Sequence, residues 1–359
     1  MRYILFVFIF IISACDQNLP QYSKVEDLRI ISMQAEPPTY LFDQPDAELT
    51  FNALVLDPRG GPVDYTWSFC PVESTLACDD FEELVTQFPE DIQATLKTAR
   101  QITLSGTALP KPEASDLPAH EAMRPYDIPA FTLTIEQLTP LINYFAAMQF
   151  GLGMGIWPSA ILALSRQGEQ VSGYKRVVVT VADLYAFNDH LQYLLGYSFC
   201  PPDQSDATND CIAWHPELVA NHNPIFDQLQ WSSENTTFAT WEDIPTDVPL
   251  HIQTDSEIRI LPSFTTESSE SFELLQTDLQ SRTVQVIAST EEISVAWFVT
   301  YGKIKEELTW PKFTKTLDTI YTAPKTPPLY TDGLATLWLV ARDHRGGESY
   351  THIDLIIDP

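Results

Sequence analysis

Leu49-Thr50-Phe51-Asn52-Ala53-Leu54-Val55, then Asp57-Pro58-Arg59-Gly60-Gly61-Pro62, then Asp64-Tyr65-Thr66-Trp67-Ser68-Phe69 read as strand, turn and strand. Leu49, Phe51, Ala53 and Val55 share one face at period two, and Tyr65, Trp67 and Phe69 alternate with Asp64, Thr66 and Ser68. Between the two runs Gly60 and Gly61 are free to adopt positive φ, while Pro58 and Pro62 stiffen the flanks. A strand apolar on one face must bury that face, so the segment calls for a second sheet packed over it, with Trp67 in the core.

The same pattern returns near the C-terminus. Leu337 to Ala341 leads through Arg342-Asp343-His344-Arg345-Gly346-Gly347 into Tyr350 to Ile357, where Ile353, Leu355 and Ile357 share a face. A tryptophan-centred strand also recurs as Ser294-Val295-Ala296-Trp297-Phe298-Val299. On these residues the chain resembles bacterial immunoglobulin-like and PKD-like envelope domains. There a D-P-x-G-G-x-x-x-Y-x-W hairpin commonly joins the second and third strands, a D-x-x-G-G turn joins the last two, and a Y-T-A-P segment, here Tyr321 to Pro324, often precedes them. The match is strongest over 26–70 and 280–358. The resemblance implies a mainly β protein of two sandwiches with a helical insertion in the first. Aligned on it, domain 1 spans 26–184 with an insertion of about 79–155, a connector spans 185–221, and domain 2 spans 222–359. Trp67, Trp297 and Trp338 are each expected inside their own sandwich.

Within the insertion, Asp79 and Asp80 precede Phe81, Leu84, Val85 and Phe88 at helical spacing, and Pro89-Glu90-Asp91 opens a second helix with acids in its first turn. A small helical lid is expected, followed by a looped run through Pro110, Pro112, Pro118, Pro125 and Pro129. Leu138 to Ser165 carries no charged residue. Thr139-Pro140, the glycines from Gly151 to Gly155 and Pro158 break it into a helix, a turn and a buried strand rather than one membrane span.

The chain starts Met1-Arg2, continues through apolar Tyr3 to Ile11, and reaches Ile12-Ser13-Ala14-Cys15. This resembles a bacterial lipoprotein signal peptide with its lipobox, too short to span a bilayer, for which about 20 apolar residues are needed. The resemblance implies a signal peptide over 1–14, acyl chains such as palmitate on Cys15, a polar tether over 15–25, and a protein held by lipid on the extracytoplasmic side of a bacterial envelope membrane. The other cysteines fall in two close pairs, Cys70 with Cys78 and Cys200 with Cys211. In an exported chain an even number implies disulfides, and the short separations favour these local pairs among three connectivities. No C-x-x-C occurs, which argues against structural zinc.

Charge narrows the partners. With 49 Asp and Glu against 20 Lys and Arg, the net charge of −29 disfavours nucleic acid and anionic lipid surfaces. It leaves calcium as a cofactor to consider, with Asp57 and Asp343, expected exposed in their matching turns, as weak ligands at a domain junction. His215 and His222, with Asp210 and Glu217, form the densest set of alternative metal ligands. No H-E-x-x-H or G-x-S-x-G is present, and Gly151 to Gly155 lacks nucleotide-loop spacing, so no catalytic residue is assigned. Trp157, Trp214, Trp231 and Trp241, together with Trp310, lie near prolines, glycines or strand ends and form the candidate binding surface. The expected role is binding or scaffolding toward an envelope protein or polysaccharide, without enzyme activity. Two alternatives stand beside it: an envelope hydrolase with its site between insertion and connector, and a passive spacer.

Overall fold

The computed structural model describes residues 22–41, 48–72, 78–111, 124–134, 136–138, 157–180, 198–199, 211–212, 221–233, 239–245, 248–278 and 283–359. The expected signal peptide, Cys15, Cys200, Trp214, His215 and the glycines from Gly151 to Gly155 fall outside these residues, as does most of the expected connector 185–221.

The described chain is mainly β. Its N-terminal half contains β1 (Arg29–Glu36), β2 (Thr39–Leu41), β3 (Leu49–Leu56), β4 (Val63–Cys70), β5 (Thr103–Ala108), β6 (Phe131–Leu133), β7 (Ser159–Arg166), β8 (Glu169–Arg176) and β9 (Val178–Thr180). One sheet has the order β1-β3-β6, another β5-β4-β7-β8, and β2 pairs in parallel with β9. The opening segment is therefore not a hydrogen-bonded hairpin: β3 pairs with β1 and β6, whereas β4 pairs with β5 and β7. Its turn crosses from one sheet to the other, with Gly60 and Gly61 at φ of 60° and 82°. The apolar faces then meet in one core holding Leu49 and Phe51 together with Tyr65, Trp67 and Phe69. Trp67 stacks on Phe131 with ring centroids 5.8 Å apart, and its Nε1 donates to Pro129 O at 3.1 Å. β7 and β8 form a true hairpin through Gln167 and Gly168, both at positive φ as a tight two-residue turn requires.

Two helices, Phe81–Val85 and Glu90–Arg100, follow β4, with the Cys70–Cys78 disulfide at their entrance. Acids in the first turn and bases in the last of the longer helix complement its dipole. Both helices put apolar side chains, Phe81, Val85, Ile92, Leu96 and Ala99, into the same core as the sheets. The span 79–155 is nonetheless not a single excursion from the sandwich, because β5 and β6 lie inside it and complete the two sheets. β5 escapes a pattern search because its inward positions are Leu104, Gly106 and Ala108, small where Tyr65 crowds them. A Cβ on Gly106 would lie 2.8 Å from the Tyr65 hydroxyl. On the outward face, register places Asp64 beside Thr107 and Ser165, and Thr66 beside Ser105 and Ala163.

A short parallel pair, β10 (Ser198–Phe199) and β11 (Cys211–Ile212), precedes the C-terminal half. That half contains β12 (Phe226–Ser232), β13 (Glu242–Asp243), β14 (Leu250–Gln253), β15 (Glu257–Phe264), β16 (Ser271–Asp278), β17 (Thr283–Thr290), β18 (Ser294–Val299), β19 (Lys303–Ile304), β20 (Leu308–Thr309), β21 (Thr319–Thr322), β22 (Leu334–Arg342) and β23 (Glu348–Asp358). Two five-stranded sheets result, β13-β12-β15-β21-β19 and β14-β23-β22-β18-β20, while β16 and β17 make a separate ribbon. Trp297, Leu337, Leu339, Ile353 and Leu355 meet Ile258, Ile260 and Tyr321 in their shared core.

Trp338 is buried but not where the sequence reading puts it. With Val340, Ala296 and Phe298 it faces away from the C-terminal core and packs against Val25, Ile31, Leu54 and Leu56 of the N-terminal half. The chain just before β1 joins this third cluster: Val25 N donates to Val299 O at 3.0 Å, and Val299 N donates to Ser23 O at 2.7 Å. The expected tether 15–25 is described only from Tyr22, and its last residues are pinned to the end of β18.

Candidate functional site

The two D-x-R-G-G turns, Asp57 to Gly61 and Asp343 to Gly347, repeat one piece of local chemistry. In each, the aspartate carboxylate accepts the backbone N–H two residues on, Arg59 N at 3.0 Å and Arg345 N at 2.8 Å, and so holds its own turn. Both aspartates are about 1% exposed, which reverses the expectation that they lie open in their turns. Asp57 lies against two guanidinium groups, Arg59 with Nε 2.9 Å from Oδ1, and Arg166. Burial pushes its carboxyl pKa up, but the hydrogen bonds and charges of the two arginines outweigh that and hold it below the ordinary range. Asp343 spends its oxygens on Arg345 N, Gly347 N and Asn221 Nδ2. His222 is exposed and makes a 2.6 Å contact from Nδ1 to Glu270 Oε1. Among the described residues no three His, Cys, Asp or Glu side chains converge as a metal site.

A second polar cluster has a positioning role. Glu348, 6% exposed, accepts from Ser32 Oγ at 2.5 Å, Met33 N at 3.1 Å, Arg342 Nε at 3.1 Å and Lys175 Nζ at 3.3 Å. Its own backbone N–H donates to Asn223 Oδ1, while Asn223 Nδ2 donates to Ala35 O. One carboxylate thus ties β1 and β8 to the hairpin of β22 and β23. Burial raises the Glu348 pKa, and the charges of Lys175 and Arg342 reverse the shift to below the ordinary value.

The tryptophans separate by environment. Trp231, on β12, packs on the C-terminal core, and Trp241 lies under the Arg259 guanidinium at 5.2 Å. Trp157 is half-buried, and Trp214 is outside the described residues. Trp310 differs. It caps a single helical turn, Pro311–Thr314, that ends at Lys315 with φ of 70°. Its ring stacks on His344 at 4.3 Å and meets Phe313 edge-on at 4.8 Å, with Lys312 Nζ 5.3 Å from the ring centroid and its own Nε1 donating to Glu292 Oε2 at 2.8 Å. Burial lowers the His344 pKa, which keeps the imidazole neutral and suited to stacking. Phe313 is 72% exposed.

The result is an aromatic platform with one cation and one carboxylate at its rim, built from the loop after β20, the β22–β23 turn and Glu292 in the connection between β17 and β18. Rings and charges so arranged can stack on and desolvate an apolar or ring-bearing partner. Trp310 was legible as a loop aromatic. Phe313 and His344 were not, although the Trp310–Phe313 spacing of three within Trp310-Pro311-Lys312-Phe313 is the signal of a one-turn helix bringing both rings to one side.

No family model matches the chain, and no curated protein matches it. Among solved structures it is similar to the D0-D1 domain of intimin, at 8% identity and TM-score 0.18 over 91% of this chain and 98% of that one. It is similar also to a chimeric titin Z1Z2 bearing a decorin peptide, at 8% identity and TM-score 0.19 over 93% and 98%. A third is a 1.5-MDa bacterial ice-binding adhesin, at 7% identity and TM-score 0.21 over 93% and 100%. Similarity at this level adds nothing to the sheets and sites described above.

Proposed function

We propose that the chain is a lipid-anchored extracytoplasmic lipoprotein of a bacterial cell envelope, built on two immunoglobulin-like or PKD-like sandwiches, that binds and scaffolds an envelope protein. The observation that carries the binding role is the Trp310, Phe313 and His344 platform, a cluster of rings half in solvent at the end of a sandwich. Aromatic anchors of this kind dominate the energetics of protein contacts. The Met1 to Cys15 sequence supports the anchor, and the paired D-x-R-G-G turns support the repeated sandwich.

The test is in-cell crosslinking and pull-down of the lipidated full-length protein beside its Phe313→Ser and Trp310→Ala forms at equal abundance. A stoichiometric partner captured by the wild type and lost from both variants is the expected result; equal capture by all three sinks the docking assignment. Mass spectrometry of the mature protein checks the anchor, expecting acyl chains on Cys15 and none in Cys15→Ser. A spacer role is the second reading, favoured by the cluster around Trp338 and the Glu348 network, which join the two halves. It differs in having no saturable partner.

A further inference from the structure

The outward face of the sheet β5-β4-β7-β8 belongs to neither the core nor the Trp310 platform. Asp64, Thr66, Ser165, Gln170 and Ser172 line a concavity of about 480 Å³ there, together with Ala163 and the core-packed Leu164 and Val171. On β8, two residues beyond Ser172, the Tyr174 ring is 40% exposed, with the Arg176 guanidinium 5.8 Å from its centroid. In a chain with 49 acidic residues, the eight outward positions fixed by register in the two adjacent cross-strand rows hold one charge, Asp64, and otherwise hydroxyl, amide and methyl side chains. Among the described residues Thr66, Ser165, Gln170 and Ser172 make no side-chain hydrogen bond, and Asp64 accepts only from Thr107 through Oδ1.

We propose that this face binds a neutral polysaccharide, laid across the strands with Tyr174 stacking on a sugar ring. The chemistry selects that class. Serine, alanine and aspartate, which fill much of the two rows, are depleted from protein interfaces. The one formal charge within the two rows, Asp64, is negative and disfavours an anionic polymer there. Short hydroxyls and an amide present donors and acceptors to the vicinal hydroxyls of a sugar. The cavity volume falls within the roughly 300–1,000 Å³ range of small-ligand sites.

The proposal deepens the binding reading by adding a second site with a different ligand class, and rests on it only for placing the chain where such polymers occur. The experiment titrates the mature full-length protein with cello-, malto-, xylo- and chito-hexaose, read by amide chemical shifts and calorimetry. Saturable binding of at least one probe is expected, with shifts centred on β4, β7 and β8. Tyr174→Ala and Gln170→Ala, both at exposed positions, should weaken it at least tenfold with an unchanged melting temperature, while Phe313→Ser leaves it intact. Absence of saturable binding to every probe overturns the proposal, as does binding that survives both variants or is lost with Phe313→Ser. Loss of the crosslinked protein partner in Phe313→Ser is a separate readout, so either site can fail alone.

Discussion

Glu348 is a charge carried to where water scarcely reaches, and its partners come from both halves of the chain. Removing one side of a buried, hydrogen-bonded ion pair leaves the other charged and unpaired, which costs about 3–5 kcal/mol. Glu348→Gln is therefore expected to lose about that much stability in urea unfolding, since Lys175 and Arg342 keep their charges beside it. The exposed pair Lys305 and Glu306 sets the contrast: Lys305→Ala should move the same midpoint by less than about 0.5 kcal/mol. Phe313 falls at the other extreme. A side chain 72% exposed contributes little to folding, so Phe313→Ser should leave the melting temperature in place and remove partner capture. A fall of several degrees would instead mean that Phe313 holds its loop together.

At the scale of elements, the disulfide and the helices it introduces act as one. Cys70 ends β4, Cys78 precedes the helix Phe81–Val85, and the bridge closes a short loop worth about 2.5 kcal/mol by chain entropy. Cys70→Ser with Cys78→Ser should cost about that amount in thermal or denaturant unfolding, and an unchanged midpoint would show that the helices hold the loop unaided. These elements also mark what the sequence makes legible. β3, its turn and β4 could be read because Leu49, Phe51 and Val55, then Tyr65, Trp67 and Phe69, repeat at period two on either side of a Gly/Pro turn. β5 was missed because Gly106 and Ala108 fill its inward positions, a consequence of the Tyr65 ring opposite that no local pattern records. Trp338 was placed on the wrong side because Leu337 and Leu339 face one core while Trp338 and Val340 face another, and a strand buried on both faces has no polar side to orient it. The platform was half legible for a similar reason: a tryptophan beside a proline is visible in sequence, whereas the His344 that stacks on it is 34 positions away.

For the whole molecule, the Glu348 network gives stability a dependence on pH whose sign can be worked out. The Glu348 carboxyl titrates below the ordinary value of 4.5 in the folded state, so folding favours its ionised form. That contribution is fully present above the unfolded value and is lost as pH falls through the folded one. Asp57 follows the same sign, and His344, held neutral by burial, loses stability as pH falls from about 6.5. Glu291 opposes them: burial raises its pKa, so the folded state binds its proton more readily and gains as pH drops through that window. Relief of mutual repulsion as the net charge of −29 approaches neutrality near the pI of 4.3 acts in the same direction as Glu291. A bare acid titration mixes all of these, whereas the difference in unfolding free energy between wild type and Glu348→Gln isolates one. That gap should be widest at pH 7, hold level down to about pH 4.5, and close below it as the wild-type carboxyl takes up the proton that glutamine mimics. A gap that stays constant from pH 7 to pH 3 would mean that Glu348 contributes through shape alone, and that its charge does not couple β1 and β8 to the last hairpin.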